Sequence, residues 1–170
     1  IVMTKWAGLE GTSIIAAERE EKLLETLPQE LVDVAKGFKD YLSVIPESKI
    51  AMEVGVSAMH DVTEGGVFGA LWELGEASGV GITAHLDKIP IKQETIEVCE
   101  VFHINPYMLI SSGSMMIGCE KGNLLVEKLN EAGINAAVIG RATGGNDRII
   151  VSRDETRYIG PAGSDELYKI

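Results

Sequence analysis

The stretch His60-Asp61-Val62-Thr63-Glu64-Gly65-Gly66 constrains the fold more than any other part of this 170-residue chain. A short apolar run, Val54 to Met59, precedes it. After it, Val67, Ala70, Leu71, Leu74 and Ala77 recur at helical spacing. That helical face stops at Gly79, a residue suited to ending a helix, and Gly81 to Leu86 then alternates as a strand. A strand, a glycine-bearing turn, a helix and a second strand in that order predict an α/β layered architecture. The turn also stands where exposed N–H groups at a helix start can meet a phosphate.

The flanking sequence extends the same pattern. Ile1 to Thr4 reads as a strand and Lys5 to Ser13 as a loop, with Thr12 or Ser13 capping a helix that runs to about Thr26. Pro28 suits the first turn of a second helix, whose buried stripe is Leu31, Val34, Ala35 and Phe38. A third, shorter helix spans Glu47 to Val54. Beyond the breaker Pro90, Thr95 to Phe102 reads as a helix, Asn105-Pro106 as a short turn of helix, and Met115 to Cys119 as an apolar strand. Gly122 to Ala132 is a helix with Gly133 as its stop. Ala136 to Ile139 and Arg148 to Val151 read as strands joined in a hairpin by the turn-rich Gly144-Gly145-Asn146-Asp147, with Arg157 to Ile159 as a last strand. The expectation is an α/β (α+β) fold: one mixed β-sheet flanked by helices in a single domain spanning residues 1–170.

Charge and cysteine content narrow the function classes. A formal net charge of −11 opposes a nucleic-acid or anionic-membrane role, because both need a basic footprint. Small anions remain open as ligands, since backbone donors and a few local cations suffice for them. No apolar run approaches the roughly 20 residues that cross a bilayer. The start, Ile1-Val2-Met3-Thr4-Lys5, lacks the grammar of a signal peptide and an initiator Met. A cytoplasmic chain cut from something longer is expected. Cys99 and Cys119 lack metal-ligand spacing and read as free thiols.

Two readings of Asp61 stand side by side. It either positions a phosphate-bearing ligand or a metal, or caps the helix, with Glu64 three residues on completing a capping box. Gly65 and Gly66 weigh toward close approach of a ligand or of another backbone, because glycine is poor helix-forming material. His60 is an acid–base candidate against the plainer reading of a structural donor. Gly8-Leu9-Glu10-Gly11-Thr12 and Ser111-Ser112-Gly113-Ser114 are further candidate ligand turns, each equally readable as an ordinary turn; neither has the Gly-Lys-Ser/Thr of a Walker loop. Lys5 and Arg141 are the nearest cations in sequence.

In chain order, Gly8-Leu9-Glu10-Gly11-Thr12, Met59 to Gly66 and Ser111-Ser112-Gly113 resemble the C-terminal domain of the aminoimidazole ribonucleotide (AIR) synthetase superfamily. Asp61 through Gly81 carries the most specific part: an Asp-x-Thr-x-Gly-Gly turn, a helix containing Glu73-Leu74, then Ala77-Ser78-Gly79-Val80-Gly81. Ile89-Pro90-Ile91, Asn105-Pro106 and Gly133-Ile134 to Ile139-Gly140-Arg141 continue it. The superfamily includes thiamine-monophosphate kinase, selenophosphate synthetase, formylglycinamide ribonucleotide amidotransferase and hydrogenase maturation factor E. The nearest likeness is to the last and its relatives. Its turn typically reads Asp-Pro-Thr-Arg-Gly-Gly, where this chain has Val62 and Glu64. It also carries a terminal cysteine for carbamoyl chemistry, whereas this chain ends in Ile170 with Cys119 as its last cysteine. Thiamine-monophosphate kinase, whose turn tends to read Asp-x-Ser-Asp-Gly, fits less well.

The resemblance implies ATP and Mg2+, phosphorylation of an acceptor oxygen, and a homodimer formed through an N-terminal half that carries most nucleotide and metal ligands. A hydrogenase maturation partner is implied as the protein partner. Within this chain it implies that Asp61 orients the central turn or meets a metal through water, and that Thr63 and Ser112 donate hydroxyl hydrogen bonds. Gly8, Glu10, Gly11, Gly65, Gly66, Ser111 and Gly113 then line the nucleotide; no residue of this chain is expected as a direct metal ligand. The rival reading is a non-catalytic module that binds a small anion or a protein partner.

Overall fold

The computed structural model describes residues 1–153 and 155–170. The chain runs β1 (Val2–Thr4), α1 (Leu9–Glu18), α2 (Glu20–Leu23), α3 (Gln29–Lys36), α4 (Ile45–Val54), β2 (Ala58–Asp61), α5 (Gly66–Ser78) and β3 (Gly81–His85). It continues with α6 (Gln93–Phe102), β4 (Met115–Gly118), α7 (Gly122–Glu131), β5 (Ala136–Val138), β6 (Gly140–Thr143), β7 (Arg148–Ser152) and β8 (Glu155–Tyr158). The α/β class holds, but the strands divide into two four-stranded sheets, ordered β2-β4-β1-β5 and β6-β3-β7-β8.

In the first sheet every neighbouring pair is antiparallel. Met115, Met116 and Ile117 of β4 are all buried, as a strand covered on both faces requires. Met116 joins Met3 in the core against α5, while Met115, Ile117 and Val2 join Leu125 and Leu129 of α7 and Ala51 of α4 on the opposite face. Helix α5 in turn buries Val67, Ala70, Leu71 and Leu74 against both sheets, meeting Ile82 and Ile150 of the second. Its end follows the local signal: Gly79 adopts φ +63° and its N–H returns to Glu76 O at 3.2 Å. Ala77, expected inward, is exposed. A separate helical core joins Ile15, Val32, Ala35, Val98 and Leu109.

Three expectations are corrected. Residues Arg148 to Ser152 do not form a hairpin with the preceding strand, because β3 lies between β6 and β7, antiparallel to one and parallel to the other. Gly140 makes this insertion possible, since a Cβ there would stand 2.2 Å from Thr83 O. On α3 the inward residues are Val32 and Ala35, continued by Phe38 in the 3-10 turn that follows (Gly37–Tyr41), while Val34 is 48% exposed. The first helix starts at Leu9 rather than after Thr12, entered through Gly8 at φ +71°, and it is interrupted at Arg19. Cys99 is buried, Cys119 is half-buried, and both thiols are free.

Candidate functional site

The first sheet brings the three glycine-bearing turns to one of its ends. Beyond the last β2–β4 pair, Asp61 with Met115, the Val62 N–H donates to Ser114 O at 2.9 Å. The Met115 N–H donates to Thr4 Oγ1 at 3.0 Å, and Ser114 Oγ donates to Trp6 O at 2.6 Å, which joins the first turn to the serine turn.

The space left by the glycines is filled by the protein itself, chiefly by residues 107–111. A Cβ on Gly66, at φ +61°, would lie 2.7 Å from both Tyr107 O and Leu109 O; one on Gly11 would lie 2.4 Å from Leu109 Cγ. The Gly8 N–H donates to Ser111 Oγ at 2.6 Å, and the Gly11 N–H to Ile110 O at 3.0 Å. Gly113, at φ +103°, presses against Tyr41 O, 2.6 Å from its would-be Cβ. Gly8 and Gly11 therefore belong to the entry and first turn of α1 rather than to an open loop, and Glu10 on that turn keeps a buried Oε2 with no partner among the described residues.

Asp61 does not cap α5. The helix is entered through Gly65 in the left-handed region, without a side-chain cap from its own turn. The Gly65 N–H donates instead to Asp165 Oδ2 at 2.7 Å, from 100 residues away. Asp61 is left on the last residue of β2 with its side chain 59% exposed, 3.6 Å from His60 Nδ1. His60 Nε2 lies 3.0 Å from Glu73 Oε2 on α5, so the histidine ties strand to helix. Thr63 and Ser112 are half-buried at the same sheet end, and among the described residues neither hydroxyl bonds within the chain.

The expected cations behave differently from each other. Lys5, left-handed at φ +51°, turns its ammonium inward, where it donates to Tyr41 O, Ser43 O and Gly113 O at 2.9, 2.7 and 2.8 Å. It also pairs with the fully buried Glu47 at 2.5 Å. Lys5 is therefore a staple under the serine turn and is closed to an external anion. Arg141 is exposed on β6 in the other sheet. The cation that folding does bring to the first turn is Lys92, whose Nζ stands 4.3 Å from the centroid of the Trp6 ring. Sequence spacing gave no hint of it.

Asp165 was also missed. An aspartate before Glu166 and Leu167 carries a local capping signal, and its Oδ1 does accept the Leu167 N–H at 2.9 Å; nothing local announces its reach to Gly65. Its segment lines a cleft of about 480 Å3 with Gly65, Phe68, Tyr107 and Arg157. Phe68 and Tyr107 stack there with centroids 5.6 Å apart, and burial pushes the Tyr107 hydroxyl pKa up. No group of three His, Cys, Asp or Glu side chains among the described residues is arranged to hold a metal ion. No helix among them is long and apolar enough to cross a membrane. The rim thus offers two hydroxyls and an exposed carboxylate. That set suits hydrogen bonding to phosphate oxygens and water-mediated contact with a cation.

Residues 1–152 match the family described as AIR synthase related protein, C-terminal domain. A Methanocaldococcus jannaschii protein named for hydrogenase expression/formation is 31% identical over 153 residues, covering 84% of this chain and 45% of that protein. HypE of E. coli superposes with a TM-score of 0.79 at 22% identity, covering 99% of this chain and 52% of the other. A HypE solved in complex with ATP gives a TM-score of 0.72 at 15% identity, over 98% of this chain and 51% of the other. HypE in a HypE–HypF complex gives 0.69 at 21%, over 95% and 52%. This chain spans about half the length of these relatives.

Proposed function

Because this chain belongs to the AIR synthase related family and carries its C-terminal domain, we propose that it forms one wall of an ATP-dependent site in a HypE-like hydrogenase maturation protein. The other wall comes from an N-terminal half preceding Ile1, which holds most nucleotide and metal ligands and forms a homodimer. One observation carries this reading: the three turns meet at one sheet end, where Asp61 stays exposed and, among the described residues, the Thr63 and Ser112 hydroxyls have no partner. The ATP complex of HypE supports the nucleotide, and the HypE–HypF complex supports a maturation protein as partner.

Bound ATP with Mg2+ supplies a phosphoryl group for an acceptor oxygen. Phosphoryl transfer asks the protein mainly for positioning and charge stabilisation. Thr63 and Ser112 donate hydroxyl hydrogen bonds to phosphate oxygens, and Asp61 orients the turn and meets the cation through water. The glycines keep their own backbones together, so nucleotide contact falls to these side chains and to the remaining free N–H groups. Lys92 is the local cation. The protein works in the cytoplasm on this reading. Replacing Asp61 by Ala in the intact protein lowers ATP turnover; unchanged turnover removes Asp61 from the site.

A partner-binding module without catalysis is the second reading. It is favoured by Ile45 and Met52, which stand two turns apart on α4 and are 62% and 70% exposed. A module of this kind leaves the intact protein without ATP binding.

A further inference from the structure

Asp165 lies in the segment that returns across the molecule after β8, and it is 1% exposed. Its Oδ2 accepts the Gly65 N–H at 2.7 Å at the entrance of α5. Its Oδ1 accepts the Ile110 N–H at 3.2 Å and the Leu167 N–H at 2.9 Å. A carboxylate is tolerated out of water only when its lone pairs are filled, and three backbone donors beside the positive end of a 13-residue helix meet that condition. The segment is held close by shape as well. Cβ atoms on Gly65 and Gly69 would stand 2.9 and 3.2 Å from Ala162 Cβ, so glycine at both positions lets the segment seat on α5.

The two remote partners of this carboxylate belong to different turns of the candidate site. Gly65 closes the turn that carries Asp61 and Thr63, and Ile110 directly precedes Ser111 and Ser112. Gly66 adds a backbone contact between the same two segments, but among the described residues only Asp165 joins them through charge-assisted hydrogen bonds. We infer that Asp165 is a positioning residue: one buried carboxylate fixes the central turn and the serine turn to each other and so sets where Asp61, Thr63 and Ser112 stand. This rests on the function proposed above. The segment lies beyond residues 1–152, the part matched to the family. The last piece of the site's frame is therefore supplied from outside the matched region.

Residue-resolved amide hydrogen exchange on the intact protein and on its Asp165→Ala variant tests the link directly. The Gly65 and Ile110 amides lose protection together, by about ten- to a hundredfold, the factor that a charge-assisted hydrogen bond corresponds to. Met116 and Ile117 in β4 keep their protection. Excess formate, a free carboxylate, restores both amides at once. Protection lost at one amide alone, or left uncorrected by formate, overturns the inference. Should Asp165→Ala fail to fold, Asp165→Asn takes its place. Its single acceptor oxygen then leaves one of the two amides protected, and unchanged protection at both counts against the link.

In the intact protein, Asp165→Asn lowers kcat/KM for ATP turnover about tenfold, the scale of a small misplacement, with KM for ATP rising because the Thr63 and Ser112 hydroxyls are displaced. Turnover unchanged in Asp165→Asn but lowered in Thr63→Ala overturns the positioning role. Turnover unchanged in both overturns the proposed function instead, and hydrogen exchange then decides on Asp165.

Discussion

The turn at residues 8–12 and the turn at residues 61–66 carry similar marks in sequence, two glycines with a threonine and one acid in the first or two in the second, and they meet different fates. The first is wound into α1: Thr12 is fully buried with its Oγ1 on Thr95 Oγ1 at 3.1 Å, and Gly11 is pressed against Leu109. The second keeps its glycines inward against residues 107–109 and Asp165, but leaves Asp61 and Glu64 exposed and Thr63 half-buried. Glycines in a sequence therefore report that something comes close to the backbone without saying what. In both turns the close neighbour is the protein's own chain. The side chains beside the glycines separate a helix start from a candidate site.

The largest effect expected from breaking this arrangement lies beneath the serine turn. Lys5→Met strands the buried Glu47 carboxylate and frees the carbonyls of Tyr41, Ser43 and Gly113. A loss of about 3–5 kcal/mol is expected from urea denaturation, largely recovered when Glu47→Leu is added. Gly66→Ala comes next, at roughly 3 kcal/mol, because the new methyl meets backbone carbonyls and the residue must hold a positive φ. Gly11→Ala sharpens the contrast with a smaller loss of about 2 kcal/mol, since its methyl overpacks the buried Leu109 side chain rather than backbone and no positive φ has to be held.

The last effect is absent at neutral pH and appears only in alkaline solution. Burial first, and then the Glu166 charge, push the Cys99 thiol from its ordinary 9.0 up to about 12. Between those values the unfolded chain has lost the proton and the folded chain has kept it, so raising the pH draws the protein toward the unfolded state. Thermal midpoints should fall across that window and stay level with respect to this group below it. Cys99→Ala should flatten the fall.

Much of the fold was legible because its signals are local. The apolar face of α5, its stop at Gly79, and the α7 pattern ending at Gly133 are written in spacings of three and four residues and in left-handed glycines. The division into two sheets was not legible, because strands β6 and β7 flank β3, a strand far earlier in the chain, and their connecting Gly144-Gly145 has the composition of a hairpin turn. The site was half legible. Spacing and resemblance found the three turns, and the structure gathers them at one sheet end. The commitment of Lys5 to an interior cage, the arrival of Lys92 beside Trp6 and the capping of Gly65 by Asp165 depend on contacts between distant segments, which no local pattern encodes.

Whether the open rim of these turns meets a nucleotide is decided most directly by calorimetric titration of the intact protein with Mg2+ and ATP, alongside its Thr63→Val and Ser112→Ala variants. Each variant deletes one hydroxyl that has no partner among the described residues, so the fold should survive and ATP affinity should fall by about tenfold per hydroxyl. Full affinity in both variants, with the protein folded, would contradict a nucleotide wall built from these turns.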